Sequence, residues 1–149
     1  MSRRIPVGSI IAVVLAVVAA APARAAGDGF ALVANARSTS QTLAKANVRA
    51  LYTGKAKQLD GDAVVVVVRA EDDPVFVGFV DQVFGIPPQA LLSKIKQEVF
   101  KGEMAKPIKA ANDDEVIQAV GASPGMLGVV STAAAGHLPK TVKVIVIGG

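Results

Sequence analysis

The feature that most constrains the fold is a run of five consecutive valines at residues 64–68, preceded by Ala63 and followed by Arg69. Branching at Cβ restricts χ1 and favours extended backbone, so this run predicts a strand over residues 63–69. Asp60-Gly61-Asp62, directly before it, predicts a turn. Because the run is apolar at odd and even positions alike, both faces of the strand have to be buried. A strand covered on both faces is typical of the centre of a sheet with helices on each side.

Apolar residues at helical spacing predict four helices. The first helix carries Leu43, Val48, Leu51 and Tyr52 on one face and ends at Gly54. The other three begin at residues that favour helix starts. They run from Asp72-Asp73-Pro74 to about Gly85, from Pro87-Pro88 to residues 100–102, and onward from the cap Asn112-Asp113-Asp114.

Three more apolar runs, at residues 30–35, 126–131 and 142–147, predict further strands. The predicted order is therefore β-α-β-α-α-α-β-β, which is typical of an α/β fold. We expect a single domain with a mixed central sheet of about four strands flanked by helices.

Residues 1–25 have the pattern of a signal peptide. Arg3 and Arg4 form a basic start, residues 10–20 are uncharged and apolar, and Ala23-Arg24-Ala25 provides a small-x-small cleavage site. An uncleaved membrane anchor is the alternative, but the apolar run of ~12 residues is shorter than the ~20 that span a bilayer. We therefore expect cleavage after Ala25, a mature domain of residues 26–149 and no membrane anchor after cleavage.

The first residues also indicate the export route. The Arg pair is compatible with a twin-arginine signal, but Pro6 stands where such signals usually carry a large apolar residue. We therefore expect the general secretory route and a periplasmic or secreted product.

Cleavage after Ala25 also changes the charge balance. It removes three arginines, so 16 basic and 12 acidic residues become 13 and 12, and the net charge falls from +4 to +1. Nucleic acid is consequently not an expected partner, because its binding needs clustered Lys and Arg.

The sequence does not favour an enzyme. It has no Cys and one His, so neither a thiolate nucleophile nor a His-rich metal site is expected, and no cofactor is predicted. Residues 121–125 match G-x-S-x-G, but the segment joins a helix to a strand, and Pro124 lacks the N–H that an oxyanion hole requires. No acidic residue follows Glu115 to complete a triad with His137, which we interpret as an exposed loop residue.

Arg69 and the acidic residues after it are the candidate binding site. Arg69 ends a buried strand and precedes a helix N-terminus, a position where open α/β sheets bind anions. Its guanidinium suits phosphate or carboxylate, but the spacing alone favours a structural salt bridge to Glu71 or another acid. For the triplet Glu71-Asp72-Asp73 a cation site is the alternative, and helix capping is the favoured interpretation.

Several motifs follow one another over residues 30–130. They are the strand ending in Asn35, the segment Val48-Arg-Ala-Leu-Tyr-Thr-Gly-Lys55, the strand ending in Arg69, Phe79 in the next helix, Phe100-Lys-Gly102 with Pro107, and Ser123-Pro-Gly125-Met-Leu-Gly128-Val-Val130. In their types and order these motifs resemble the second lobe of the periplasmic phosphate-binding proteins of ABC importers, and the short secreted proteins related to them.

The resemblance implies a three-layer lobe of the periplasmic-binding-protein type, with Arg69, Glu71 and Asp73 as ligand-binding residues. It departs from the family where Ser-Gly-Thr normally grips phosphate, because Asp72-Asp73-Pro74-Val75 stands there instead. The resemblance also implies that the other lobe has no room in a mature chain of 124 residues.

Two functions follow from these expectations. The first is a secreted solute-binding-like protein that binds phosphate or another small anion weakly and works with an ABC importer permease. The alternative is a non-catalytic periplasmic interaction module that has lost ligand binding and contacts another periplasmic protein.

Overall fold

The computed structural model describes residues 29–148. Strands and helices follow one another in the order β1 (Phe30–Asn35), β2 (Thr42–Ala44), α1 (Lys45–Tyr52), β3 (Gln58–Leu59), β4 (Asp62–Ala63), β5 (Val65–Val68), α2 (Pro74–Phe84), α3 (Pro88–Phe100), β6 (Ile108–Lys109), α4 (Asp113–Ala122), β7 (Met126–Ser131), α5 (Thr132–Ala135) and β8 (Val142–Gly148). The predicted signal peptide lies outside the described residues.

Six of these strands form one sheet in the order β2-β8-β1-β7-β5-β6. β1 is antiparallel to both of its neighbours, β7 and β8. β5 is parallel to β6 and to β7, and β2 is parallel to β8. Within this sheet β1 therefore runs against the other five strands, and the carboxyl ends of β5, β6 and β7 meet at one edge.

The valine strand β5 contributes to two apolar layers, one on each face of the sheet. Val66 and Val68 point into a core built largely with α1, α2 and α3, where Tyr52, Phe76 and Phe79 are fully buried. The alternate residue Val67 belongs to the layer under α4. The two-sided burial predicted from the valine run is confirmed, and it produces a helix–sheet–helix arrangement.

Most predicted elements are confirmed, including the four long strands and the helix starts at Pro74, Pro88 and Asp113. The expectation of about four strands undercounts the sheet, because β2 and β6 are edge strands of three and two residues with no periodicity to detect. Leu43 is wrongly placed in the first helix: it lies in β2 and pairs with Ile147. The predicted loop before β8 contains the short helix α5.

The turn signal at Asp60-Gly61 is a two-residue hairpin between β3 and β4. Asp60 has φ +53° and Gly61 has φ +88°, the left-handed pair that a type I′ turn requires. Gly125 also has positive φ, +85°. It lies directly against the start of β5, because its carbonyl accepts a hydrogen bond from the Val65 N–H at 3.1 Å.

Within residues 29–148, no single helix is long and apolar enough to cross a membrane. The helices α2 and α3 reach that length and composition only when taken together, and they are bent by 79° at their junction.

We predict that Gly125→Ala destabilises the fold far more than Gly85→Ala. Both residues have positive φ, +85° and +68°, a conformation that costs an L-residue about 1–2 kcal/mol. A Cβ on Gly85 would meet nothing within 4 Å, whereas one on Gly125 would lie 2.2 Å from the Ala63 carbonyl oxygen. Urea unfolding should give a loss of about 1–2 kcal/mol at Gly85 and at least about 3 kcal/mol at Gly125. Equal losses would contradict the packing.

Candidate functional site

The candidate site lies at the edge where the carboxyl ends of β5, β6 and β7 meet. Arg69 directly follows β5, Asp113 begins α4 shortly after β6, and Ser131 ends β7 and caps α5. Open α/β sheets bind ligands at this kind of edge. The parallel pairing of these strands therefore brings residues 69, 113 and 131 together, although they are far apart in sequence.

Arg69 is held by two carboxylates and one backbone carbonyl. Its Nε donates to Asp73 Oδ2 at 2.9 Å, and its Nη1 donates to Asp113 Oδ1 at 2.7 Å and to the Val129 oxygen at 3.2 Å. The residue is only 6% exposed. A guanidinium buried this deeply needs compensating acceptors, and both ion pairs supply charge as well as hydrogen bonds.

Asp73 connects the guanidinium to the start of α2. One carboxylate oxygen accepts from Arg69, while Oδ1 accepts from the backbone N–H groups of Val75 and Phe76 at 2.9 and 3.4 Å. This is N-capping, so the capping interpretation of the acidic triplet is confirmed for Asp73. The side chain satisfies helix donors that would otherwise be available to an anion.

The carboxylate of Asp113 occupies the centre of the site. Oδ1 accepts from Arg69 and from the Ser131 N–H at 3.0 Å, and Oδ2 accepts from the Ser131 hydroxyl at 2.8 Å. Burial alone would raise the pKa of Asp113, but the hydrogen bonds from Arg69 and Ser131 outweigh it and hold the pKa below its usual range. Asp113 is consequently an anion bound by three donors, one from Arg69 after β5 and two from Ser131 at the end of β7.

The structure brings Arg69 and Asp73 together but places Glu71 apart from them. Glu71 is exposed and makes no ion pair with Arg69; the acids that pair with it in the described part of the chain are Asp73 and Asp113. In the sequence, Asp113 is recognisable only as part of the helix cap Asn112-Asp113-Asp114. Its pairing with Arg69 follows from the parallel arrangement of β5 and β6. Because β6 is only two residues long, the sequence contains no pattern that predicts this arrangement.

The electrostatics of this edge do not favour an additional anion. One guanidinium faces two carboxylates, which leaves a net charge of −1 before the exposed Glu71 and Asp72 are counted. At the start of α4, Asn112 Oδ1 accepts from the Glu115 N–H at 2.9 Å. At the start of α5, Ser131 Oγ accepts from the Ala134 N–H at 3.1 Å. Several of the donors that a phosphate would use are therefore already occupied by the chain itself.

The other sequence motifs have structural roles. Residues 121–125 lead from α4 into β7, which confirms the helix-to-strand order that argues against a nucleophile elbow. His137 is an exposed residue after α5, as predicted. Among the residues from 29 to 148, no three His, Asp or Glu side chains are grouped so that they could hold a metal ion.

A second polar cluster lies beyond the opposite edge of the sheet, where β1 ends. Asp60 accepts from the hydroxyls of Ser38 and Ser40, the latter at 2.8 Å, and from the Ser40 N–H at 3.1 Å. The hydrogen bond from Ser38, together with those from Ser40, lowers the pKa of Asp60 to about 2. These contacts tie the loop after β1 to the β3–β4 hairpin, so they explain the polar segment that precedes β2.

The fold of this chain is similar to part of the fold of solved substrate-binding proteins of ABC transporters. No protein-family model matches the sequence, and no curated protein sequence matches it either. The fold, however, matches one part of several solved structures of that class. The predicted three-layer lobe of the periplasmic-binding-protein type is therefore confirmed at the level of the fold.

Three of these structures match about four fifths of this chain. A Clostridium perfringens protein, assigned as a phosphate ABC transporter substrate-binding protein and solved with bound phosphate, is 15% identical with a TM-score of 0.59; the match covers 78% of this chain and 44% of that one. An ABC-type phosphate transport receptor from Vibrio cholerae is 16% identical with a TM-score of 0.59, and the match covers 78% of this chain and 45% of that one. A possible phosphate-binding protein from Planctomyces limnophilus is 17% identical with a TM-score of 0.59, and the match covers 80% of this chain and 41% of that one.

The chain thus matches less than half the length of each of these structures. The parts of those proteins that lie outside the match have no counterpart in this comparison. At identities of 13–17% the similarity establishes the fold and not the ligand.

We predict that Arg69→Ala destabilises the protein by about 3 kcal/mol, because it leaves two partly buried carboxylates without their cation. Glu71→Ala removes a charged side chain two positions away that is exposed, and should change the free energy of unfolding by no more than about 0.5 kcal/mol. Urea unfolding of both variants measures the difference. A similar loss for the two variants would show that Arg69 is not held as described.

We also predict an acid-sensitive component of stability that depends on Asp113. Because its pKa is lower in the folded chain, Asp113 stabilises the fold fully above the unfolded value of 3.8, and this contribution is lost as the pH falls through the lower folded-state pKa. Unfolding free energies measured from pH 7 down to pH 2.5 should therefore fall more steeply for the wild type than for Asp113→Asn. Asp114→Asn, on the exposed neighbour, is the control and should follow the wild-type slope.

Proposed function

We propose that this chain is a secreted, non-catalytic module with the fold of a solute-binding lobe, which acts through contacts with another periplasmic protein rather than by capturing phosphate at the Arg69 edge. The observation that carries the proposal is the double pairing of Arg69 with Asp73 and Asp113 at 2.9 and 2.7 Å. An external anion would have to displace one of these carboxylates. We therefore interpret the Arg69 guanidinium as a structural group that holds Asp73 and Asp113, and not as a ligand-binding group.

An uncovered apolar strip on the sheet supports a role in protein contacts. Val142 packs under α4, but the alternate residues Val144 and Val146 on the same side of β8 are 40% and 60% exposed. In a soluble domain, exposed apolar side chains next to one another commonly mark an interaction surface. An ABC importer permease is one partner consistent with the fold, and another periplasmic protein is the alternative.

Secretion is part of the same proposal. It rests on the basic start, apolar core and Ala23-Arg24-Ala25 site of the first 25 residues. Expression of the full chain, followed by fractionation and mass spectrometry, should give a periplasmic product that begins at Ala26. Recovery of the uncut chain in the membrane fraction would contradict it.

Weak anion binding at Arg69, Glu71 and Asp73 is the second candidate function. It is supported by the position of Arg69 at the carboxyl edge of parallel strands, and by the bound phosphate of the Clostridium perfringens structure with the same fold. Such binding would require the Arg69 guanidinium to break its ion pair with Asp73 or Asp113. The negative charge of these carboxylates predicts a low affinity for the anion.

Calorimetric titration separates the two candidates. The protein purified from the periplasm should give no saturable heat with phosphate, sulfate or acetate, and Arg69→Lys should behave identically. The lysine keeps the positive charge but loses the bidentate fork, so it tests recognition without emptying the site. Saturable heat with phosphate that disappears in Arg69→Lys would favour the anion-binding function instead.

The protein contact is tested by a photo-crosslinking residue at Val146 in the exporting cell. We expect one discrete crosslinked species, whereas the same residue at the exposed Gln89 on α3 should give none. Equal patterns from the two positions would contradict a specific surface on β8.

A further inference from the structure

A groove between α3 and β6 carries an inference that goes beyond the proposed function. We propose that it binds a free, single-chain anionic amphiphile, namely an alkyl carboxylate of medium length. The groove has a volume of about 320 Å³ and opens to solvent along one side. Its apolar lining consists of Val68, Leu92, Ile95, Val99 and Pro107, and its polar lining consists of Lys96, Lys106 and Lys109.

The apolar part of the groove is a fixed floor with flanking walls. Val68 and Ile95 form the floor, and each is only 2% exposed, so both are held by the core beneath. Leu92 and Val99 are partly buried on the same face of α3, at positions 92, 95 and 99 of a helical repeat. Close packing below prevents these side chains from filling the groove themselves.

The size of the groove selects the length of the ligand. At ~30 Å³ for each group the size of a water molecule, its volume accommodates roughly ten such groups. A chain of eight to ten carbons fits this space, whereas acetate would leave it almost empty. Burial of each methylene strengthens binding by up to about fourfold until the groove is filled.

The charge around the groove selects the sign of the head group. Lys96, Lys106 and Lys109 are exposed, and among residues 29–148 none of the three makes an ion pair; the paired lysines are Lys57 and Lys101. No acidic side chain lines the groove. Lysine stems lie along apolar surface while their ammonium groups stay in water, which suits a ligand that is apolar along its length and anionic at its end.

The groove is separate from the Arg69 edge in charge and chemistry. The edge presents carboxylates that neutralise a buried cation, whereas the groove presents three cations around an apolar floor. A ligand with an alkyl chain and a carboxylate complements the second region and is repelled by the first. The inference therefore does not depend on the outcome of the anion titrations at Arg69.

The test uses the protein purified from the periplasm and labelled with ¹⁵N, in an NMR titration with decanoate below its micelle concentration. We expect saturable shifts at residues 92–99 and 106–109, and affinity that rises from hexanoate to decanoate by up to about fourfold per methylene. Decyltrimethylammonium has the same chain with the opposite charge and should bind at least tenfold more weakly. Acetate should produce no shifts in the groove.

Variants test the role of the lysines. Replacing Lys96, Lys106 and Lys109 together with Gln should weaken decanoate binding at least tenfold and abolish the preference over decyltrimethylammonium. Replacing the exposed Lys55, Lys94 and Lys140 with Gln removes the same charge from positions outside the groove and should leave binding within twofold. Since all six lysines are exposed, both variants should fold, which their ¹⁵N spectra verify.

Several outcomes would overturn the inference. Shifts confined to β8 or to the Arg69 edge would place the ligand elsewhere. Equal binding of the cationic and anionic amphiphiles would reduce the groove to an unspecific apolar surface. Binding that appears only with micelles or anionic vesicles would identify a membrane surface instead of a free ligand.

Discussion

Burial of the valine strand on both faces is the constraint on which the rest of this structure depends. Val66 and Val68 need one apolar layer and Val67 needs another, so helices must cover the sheet on both sides. Parallel neighbours connected through such helices place the carboxyl ends of β5, β6 and β7 at one edge. The residue that follows the valines emerges at that edge, between two helix starts, and in this chain that residue is Arg69.

A cation at the end of a buried strand has to be neutralised, and the way this happens decides what the edge can do. In this chain the neutralising groups are covalently part of the fold: Asp73 caps α2 and Asp113 begins α4. The Asp73 carboxylate therefore serves helix capping and ion pairing together, while Asp113 pairs with Arg69 from the first turn of α4. Because these two carboxylates already pair with Arg69, a shared fold with a phosphate-bound protein does not by itself transfer its ligand.

The sequence predicts those parts of the structure whose signals are local. The valine run, the Asp73-Pro74 helix start and the Asp60-Gly61 turn each carry their own chemistry, and each is found where it is expected. The short edge strands were missed because two or three residues have no measurable period, and without β6 the partnership of Arg69 with Asp113, 44 residues later, has no sequence signal. The groove was missed for the same reason, since β6 forms one of its sides.

Charge is distributed unevenly over a chain whose predicted mature form is almost neutral. Acidic residues concentrate at the edge after β5 and β6, at positions 71–73 and 113–115, while the segment 94–109 around α3 and β6 carries five lysines and two acids, Glu98 and Glu103. Potentials of opposite sign on neighbouring surfaces steer a charged ligand during its approach, over distances of about 8–10 Å at physiological salt. Under the proposed groove binding, this field favours approach of an anion to the lysines over approach to Arg69. The lysines Lys96, Lys106 and Lys109 surround the apolar floor formed by Val68 and Ile95, so the same surface that attracts the anion can bury its alkyl chain.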